Sequence, residues 1–263
     1  MPLHLQIIVC VLAGLGAGLG TGFAGMSAAA VIGPMLIVFL DVPPYTAVGI
    51  ALASDVLASG VSAIVYSRHK NIDLKHSWVL FVTILVTTIG GCFVADILAR
   101  KSSDVMSGVS IFAMMLLGLR FLFFPPDNNK EKALKLSDKS RLIRSVLSGL
   151  VIGFICGFMG AGGGIMMLLV LISVMGYELK TAVGTSVFIM TFTALTGAVG
   201  HFAIDGSLGQ YWIMLVTCIA STFVFAQIAS VIANRIPHKY LNLVVGVLLT
   251  GLGIATIILE YIA

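Results

Sequence analysis

The feature that most constrains this chain is an internal repeat. Shifting the sequence by 135 positions aligns residues 14–66 with residues 149–201 without a gap, and 13 of the 53 aligned positions are identical. The four residues Thr46–Gly49 recur letter for letter as Thr181–Gly184. Other identities are glycines in one register, with Gly14, Gly18, Gly22 and Gly25 matching Gly149, Gly153, Gly157 and Gly160. The duplication predicts a protein built from two related halves.

Composition places both halves in a membrane. Hydrophobic residues make up 59% of the chain and charged residues only 10%, whereas soluble domains carry about 25% charged residues. Apolar runs of roughly 17–25 residues, the length of a bilayer-spanning helix, recur along nearly the whole sequence. We therefore predict an all-α, polytopic membrane protein with the lipid bilayer as its main partner. Basic residues lie in loops, as orientation signals do, and no nucleic-acid partner is expected.

We predict five apolar segments in each half. In the first half they are 5–24, 27–40, 46–67, 77–99 and 104–124, and in the second 143–159, 163–175, 181–203, 211–233 and 239–262. A polar linker, 125–142, separates the first repeat, 1–124, from the second, 143–263. Segments 27–40 and 163–175 are only about 20 Å long as helices, so the sequence leaves open whether they span fully.

An odd number of segments makes the second half an inverted copy of the first. If all ten segments cross, one face carries thirteen Lys and Arg residues and the other only Arg100 and Lys101. If the second segment of each half dips in and returns, the split falls to ten against five. The larger bias favours ten crossings, with the linker cytoplasmic and both termini outside.

The strongest candidate for a binding site is the glycine-rich break at Gly157–Gly164. A break between two apolar segments frees backbone N–H groups, and a helix N-terminus with close backbone access suits an anion. Broken helices near the midplane are common substrate sites in inverted-repeat transporters. The predicted substrate contacts are Gly160, Gly162, Gly163 and Gly164, with Gly25 and Ser27 at the matching first-half break. The alternative is that these glycines only allow close helix packing.

Hydroxyl groups follow the repeated Thr-Ala-Val-Gly. Thr185 and Ser186 continue it in the second half, while the first half has apolar residues there and Ser54 one turn on. These three hydroxyls are candidates for donating to an oxyanion. The alternative is that each bonds a carbonyl one turn back in its own helix. Cys156, beside the glycine break, is interpreted as a small packing residue, and the four cysteines show no paired spacing.

Asp55 is predicted near the centre of segment 46–67, and its counterpart in the repeat is Met190. A carboxylate at mid-membrane is a functional candidate by default. It is assigned to proton coupling together with His201, the counterpart of Tyr66. The alternative is a structural carboxyl group that bonds the hydroxyls of neighbouring Ser54 and Ser59. No catalytic residue, metal site or cofactor is predicted, because no intramembrane His/Glu pattern or Ser–His pairing appears, so an enzyme is not expected.

Taken together, these motifs make the chain resemble the sulfite exporter TauE/SafE family of membrane permeases. The resemblance rests on the G-x-x-G-x-G-G-G stretch at Gly157–Gly164, the A-V-G-T-S string at Ala182–Ser186 and a degraded copy of both in the first half. Residues Arg68–Asp73 also resemble the family's basic loop after the third segment.

The resemblance implies an exporter of small sulfur oxyanions such as sulfite, or of organosulfonates such as sulfoacetate. The second half keeps the glycines and hydroxyls of that pattern, whereas the first half has bulkier residues and Asp55. We expect a secondary transporter that works by alternating access of its two halves, with a passive anion channel as the alternative. The sequence leaves open whether the protein acts as a homodimer.

Overall fold

The computed structural model describes residues 2–98, 138–159, 163–204 and 208–262. Within them every regular element is a helix, as predicted. They are α1 (Leu3–Ala24), α2 (Ala29–Leu40), α3 (Pro44–Arg68), α4 (Leu74–Leu98), α5 (Asp138–Met159), α6 (Gly164–Ser173), α7 (Leu179–Ile204), α8 (Trp212–Arg235), preceded by a 3-10 turn at Leu208–Tyr211, and α9 (His238–Ile262). The predicted segment 104–124 and most of the linker 125–142 lie outside the described residues.

Of the described helices, four contain stretches long and apolar enough to cross a membrane, namely Leu3–Ala24, Thr46–Arg68, Leu179–Gly200 and Gly209–Arg235. The helices α2 and α6 are short, with 12 and 10 residues. At 1.5 Å per residue they measure about 18 and 15 Å, well below a hydrocarbon core of roughly 30 Å. The two segments that the sequence left open are thus too short to span the core as helices alone.

The first helix of each half lies along the fourth helix of the other half. Helix α1 packs along α8, and α5 packs along α4. The two third helices, α3 and α7, pack against each other in the centre, and the short helices α2 and α6 lie against α3 and α7, respectively. The sequence repeat therefore corresponds to a reciprocal packing of the two halves.

Repeated glycines allow these helices to approach closely. A Cβ added at Gly18 of α1 would lie only 2.7 Å from the carbonyl oxygen of Thr222 in α8. One added at Gly153 of α5 would lie 2.5 Å from the carbonyl oxygen of Ile84 in α4. Real side chains do not come this near to a neighbouring backbone, so glycine is what permits the contact. For Gly18 and Gly153, close packing accounts for the repeated pattern.

The central helices α3 and α7 run antiparallel. Gly184, near the start of α7, faces Tyr66 near the end of α3, and Gly197, near the end of α7, faces Leu52 near the start of α3. Helices α3 and α7 are equivalent in the predicted repeat, and an inverted pair would place them antiparallel. The inverted repeat itself stays a prediction.

Apolar side chains cover the outside of the bundle. Ile64, Leu150, Val199 and Val247 are each about half exposed. The interior is mainly apolar but also contains polar side chains, of which Ser54, Asp55, Ser59, Ser62, Thr185 and Ser186 are fully buried. An apolar exterior with polar side chains kept inside the bundle is the arrangement expected of a protein that lies in lipid.

Loops from both halves meet at one end of the bundle, which we call the loop end. After α3, the side-chain amide of Asn71 donates to Asn234 Oδ1 at the end of α8, at 2.6 Å. At the start of α7, Lys180 Nζ donates to the carbonyl oxygen of Ile236 at 2.7 Å. The start of α5 joins this end, because Arg144 donates to the main chain that follows α6.

The sequence favours ten crossings over two dipping segments. Ten crossings predict that loops 68–76, 176–180 and 234–239 share one face. Two dipping segments would place the last two of these loops on the face opposite the first. The contacts of Asn71, Lys180, Asn234 and Ile236 bring these loops together, and the number of membrane crossings stays a prediction.

Candidate functional site

A buried break, Gly25–Ala28, separates α1 from α2. Helix α1 ends at Gly25, whose φ of 62° is left-handed and favours glycine. The N–H groups of Gly25 and Met26 close the last turn of α1 with bonds of 2.9 and 3.2 Å to its carbonyl oxygens. Ser27 is only 1% exposed. The break therefore places main-chain polar groups inside the bundle, away from both lipid and water.

Asp55 of α3 binds this break with both carboxylate oxygens. The Ser27 hydroxyl donates to Oδ2 at 2.5 Å, and the Ala28 N–H donates to Oδ1 at 3.1 Å. The Ser27 oxygen also accepts the Ala29 N–H at 3.3 Å. Asp55 is completely buried. Its carboxylate thus caps the N-terminus of α2 from a neighbouring helix, at a position where the helix dipole favours negative charge.

The structural alternative for Asp55 named the wrong partners. The Ser54 hydroxyl donates to the carbonyl oxygen of Ile50 at 2.9 Å, and the Ser59 hydroxyl donates to the main-chain carbonyl of Asp55 at 2.5 Å. Neither donates to the carboxylate, whose hydroxyl partner, Ser27, lies 28 residues away in the chain. Sequence reasoning selected Ser27 and Asp55 separately and had no signal with which to pair them.

The break in the second half ends at Gly163 and leads into α6. The Gly163 N–H donates to the sulfur of Cys156 at 3.0 Å. A Cβ at Gly163 would crowd the same sulfur, so a larger residue there would require the Cys156 side chain to move. At the place of Asp55 the second half has Met190, which is fully buried and carries no charge.

The two breaks lie against each other. A Cβ added at Gly164 would lie 3.1 Å from the Ser27 nitrogen and 2.8 Å from the Met190 sulfur, and closer still to the Gly25 carbonyl oxygen. Gly25 in turn faces the Ser186 hydroxyl of α7. Five predicted site residues therefore meet here, namely Gly25, Ser27, Asp55, Gly164 and Ser186.

The predicted hydroxyl donors have different surroundings. The Ser186 hydroxyl donates to the carbonyl oxygen of Val183 at 2.8 Å, and Ser54 bonds its own helix in the same way. The Thr185 oxygen accepts the N–H of Asp73, in the loop after α3, at 3.1 Å. The alternative reading, with hydroxyls bonded to carbonyls of their own helix, describes Ser54 and Ser186 here. A ligand role for the three remains a prediction.

Several predicted residues cannot be placed in the same way. Gly160 and Gly162 lie outside the described residues, and so does the side chain of His201, although its backbone belongs to α7. Their roles remain predictions. In the described part of the chain, no three His, Cys, Asp or Glu side chains form a group that could hold a metal ion.

Sequence analysis missed a polar cluster between the halves at the loop end. Lys180, only 9% exposed, donates to the carbonyl oxygens of Asn234 and Ile236 at 3.0 and 2.7 Å. Asn71 bonds the Asn234 side chain. Sequence analysis counted Lys180 only among the basic residues that indicate membrane orientation. Asn71 was noted only as part of the Arg68–Asp73 loop.

Two helix breaks meet among buried polar side chains, inside a helical bundle with an apolar exterior and reciprocally packed halves. This arrangement is typical of polytopic membrane transporters. The family model of the sulfite exporter TauE/SafE matches residues 10–256. The chain therefore belongs to the sulfite exporter TauE/SafE family.

Curated relatives agree with this class. The chain is 23% identical to the probable membrane transporter protein YunE of Bacillus subtilis, over 95% of this chain and 96% of the relative. It is 24% identical to the probable membrane transporter protein YdhB of the same organism, over 86% and 89%. A probable membrane transporter protein of Methanocaldococcus jannaschii is 24% identical over 96% and 94%. No solved structure matches the chain.

Proposed function

We propose that this protein is a secondary transporter that exports a small sulfur-containing anion, either sulfite or an organosulfonate such as sulfoacetate. The observation that carries the proposal is the contact between the two helix breaks, Gly25–Ala28 and Gly163–Gly164, in a fully buried polar centre. The name of the family supports a sulfur oxyanion as the substrate.

The N-terminus of α6 is the proposed anion-binding element. The Gly163 N–H donates to the Cys156 sulfur, a weak acceptor that an anion would replace, and the dipole of α6 favours negative charge at this end. The neighbouring Met190 contributes no competing charge. Gly160, Gly162, Thr185 and Ser186 complete the proposed contacts.

Alternating access of the two halves is the proposed mechanism. It is supported by the antiparallel α3 and α7 and by the reciprocal packing of α1 on α8 and α5 on α4. The loop end carries most of the Lys and Arg residues, so we place it in the cytoplasm of a cell-membrane protein with both termini outside. Labelling of Lys132 in the linker from outside intact cells would overturn this orientation.

Proton coupling is a second element of the proposal. Asp55 bonds the α1–α2 break directly, so a change in its protonation would alter the bonds that hold the break; His201 is the other candidate. Sulfite flux is measured in liposomes with and without a proton gradient. If neither the proton gradient nor Asp55→Asn changes the flux, the coupled mechanism is excluded and a passive anion channel is favoured.

The substrate is tested by thermal-shift measurements of the purified protein with sulfite, sulfate, thiosulfate, sulfoacetate and taurine. We expect stabilisation by sulfite or by a sulfonate, because ligand that binds only the folded state raises the Tm. Reconstituted protein should transport the same anion, and Gly163→Leu, assayed as folded and monodisperse protein, should abolish transport. Unchanged flux in Gly163→Leu would remove this break from the site.

A further inference from the structure

We propose that Asp55, when ionised, is a tethered anion that takes the place of a bound anion at the first helix break, so that the substrate anion binds at the second. Asp55 is then a specificity-determining residue, which limits the protein to one anion where its two repeats would otherwise present two equivalent places. This inference rests on the proposed function, because it names which break takes the substrate.

The contacts of Asp55 are those that a bound oxyanion would make. One oxygen accepts the Ser27 hydroxyl at 2.5 Å and the other accepts the Ala28 N–H at 3.1 Å, directly ahead of α2. A small anion at a helix N-terminus is held by the same kinds of donor. Asp55 and Ala28 are 0% exposed and Ser27 is 1% exposed, so the carboxylate already holds the buried donors that an anion at this break would use.

The second half has lost this arrangement position by position. The counterparts of Ser27 and Ala28 in the repeat are Gly162 and Gly163, and the counterpart of Asp55 is the uncharged Met190. The Gly163 N–H is bonded to a neutral sulfur rather than to a carboxylate oxygen. The two breaks occupy equivalent places in the sequence repeat, and the carboxylate of the first has an uncharged counterpart in the second.

The substitution Asp55→Ala tests the role directly. It removes three heavy atoms, which are those of a formate ion, and leaves the Ser27 hydroxyl and the Ala28 N–H without their acceptor. We expect the Tm of the variant to fall by about 10 °C. Formate should then restore at least half of this loss, with a dependence on concentration that follows binding to the folded state.

Tm is measured on purified protein in detergent across a titration with sodium formate. Sodium gluconate, a carboxylate too large for the vacancy, keeps the ionic strength constant. Wild type and Ser59→Ala are the matched controls, because Ser59 lies one turn from Asp55 on α3 and bonds only carbonyl oxygens. Neither should respond to formate. The proposal is overturned when formate does not stabilise Asp55→Ala more than gluconate does, or when it stabilises the controls equally.

A variant that unfolds during purification is assayed by recovery. Its membranes are solubilised throughout in formate or in gluconate, and the yield of monodisperse protein is compared. Greater yield in formate supports the tethered anion, and equal yields overturn it. The proposed function fails separately, because it requires anion flux through wild type, whereas formate rescue requires no transport. If formate rescues Asp55→Ala but wild type carries no anion flux, the role of Asp55 as a tethered anion is supported and the proposed transport function is refuted.

Discussion

The two helix breaks occupy equivalent places in the repeat and differ in chemistry. The first break holds a carboxylate, which bonds Ser27 and Ala28. The second has glycine beside Cys156 and the uncharged Met190. The comparison indicates how a repeated element can diverge in its chemistry: the first break bonds a carboxylate of α3, whereas the Gly163 N–H of the second bonds a neutral sulfur. We interpret the first break as scaffold and the second as the place of anion contact.

The largest effect is expected when the second break is given the chemistry of the first. Met190→Asp would place a carboxylate beside Gly164, where it would repel a bound anion, and we expect it to abolish both sulfite uptake into liposomes and stabilisation by sulfite. Met190→Leu conserves volume without adding charge and should retain both. Full uptake by a folded Met190→Asp protein would contradict the placement of the anion at the second break.

A large loss of stability is expected at the contact between the breaks. In Gly164→Ala the new Cβ would collide with the carbonyl oxygen of Gly25, which is backbone and cannot rotate away. We expect a loss of about 3 kcal/mol in the free energy of unfolding. Gly33→Ala, inside α2 where a Cβ meets nothing within 4 Å, is the control and should be neutral or stabilising by up to about 1 kcal/mol. Denaturant titration measures both, and equal losses would show that the breaks do not touch.

An intermediate effect is expected at the first break. Ser27→Ala removes the hydroxyl that donates to Asp55 and leaves one oxygen of a buried carboxylate without its donor. We expect a loss of about 2 kcal/mol in the free energy of unfolding. Ser59→Ala removes a hydroxyl that bonds only main-chain carbonyls, so the free energy of unfolding should fall by less in this variant. Equal Tm values for the two variants would mean that the Ser27–Asp55 bond does not hold the break.

The smallest effect is expected at Cys156, which accepts the Gly163 N–H through sulfur. Because sulfur is a weak acceptor, Cys156→Ala should cost about 1 kcal/mol. Cys156→Ser keeps an acceptor at the same place and should cost less. A loss in Cys156→Ala as large as that in Ser27→Ala would show that the second break is as firmly held as the first, contrary to the comparison.

Much of the architecture could be predicted from the sequence, because it follows from local properties. Lengths of apolar runs set the helices, and the short segments 27–40 and 163–175 appear as α2 and α6. Loop charges predicted which loops share a face, and the contacts Asn71–Asn234 and Lys180–Ile236 bring those loops together. These features depend on hydropathy and charge, which are properties of each residue and do not depend on which residues pack against it.

The sequence by itself determined the helices, the two halves and the candidate residues Gly25, Ser27, Asp55, Gly164 and Ser186. Only the tertiary structure decided that they lie together, and that the partner of Asp55 is Ser27 rather than Ser54 or Ser59. The physical reason is that a hydrogen bond across 28 residues depends on how α1, α2 and α3 pack. Neither helix periodicity nor residue spacing along the chain encodes that distance.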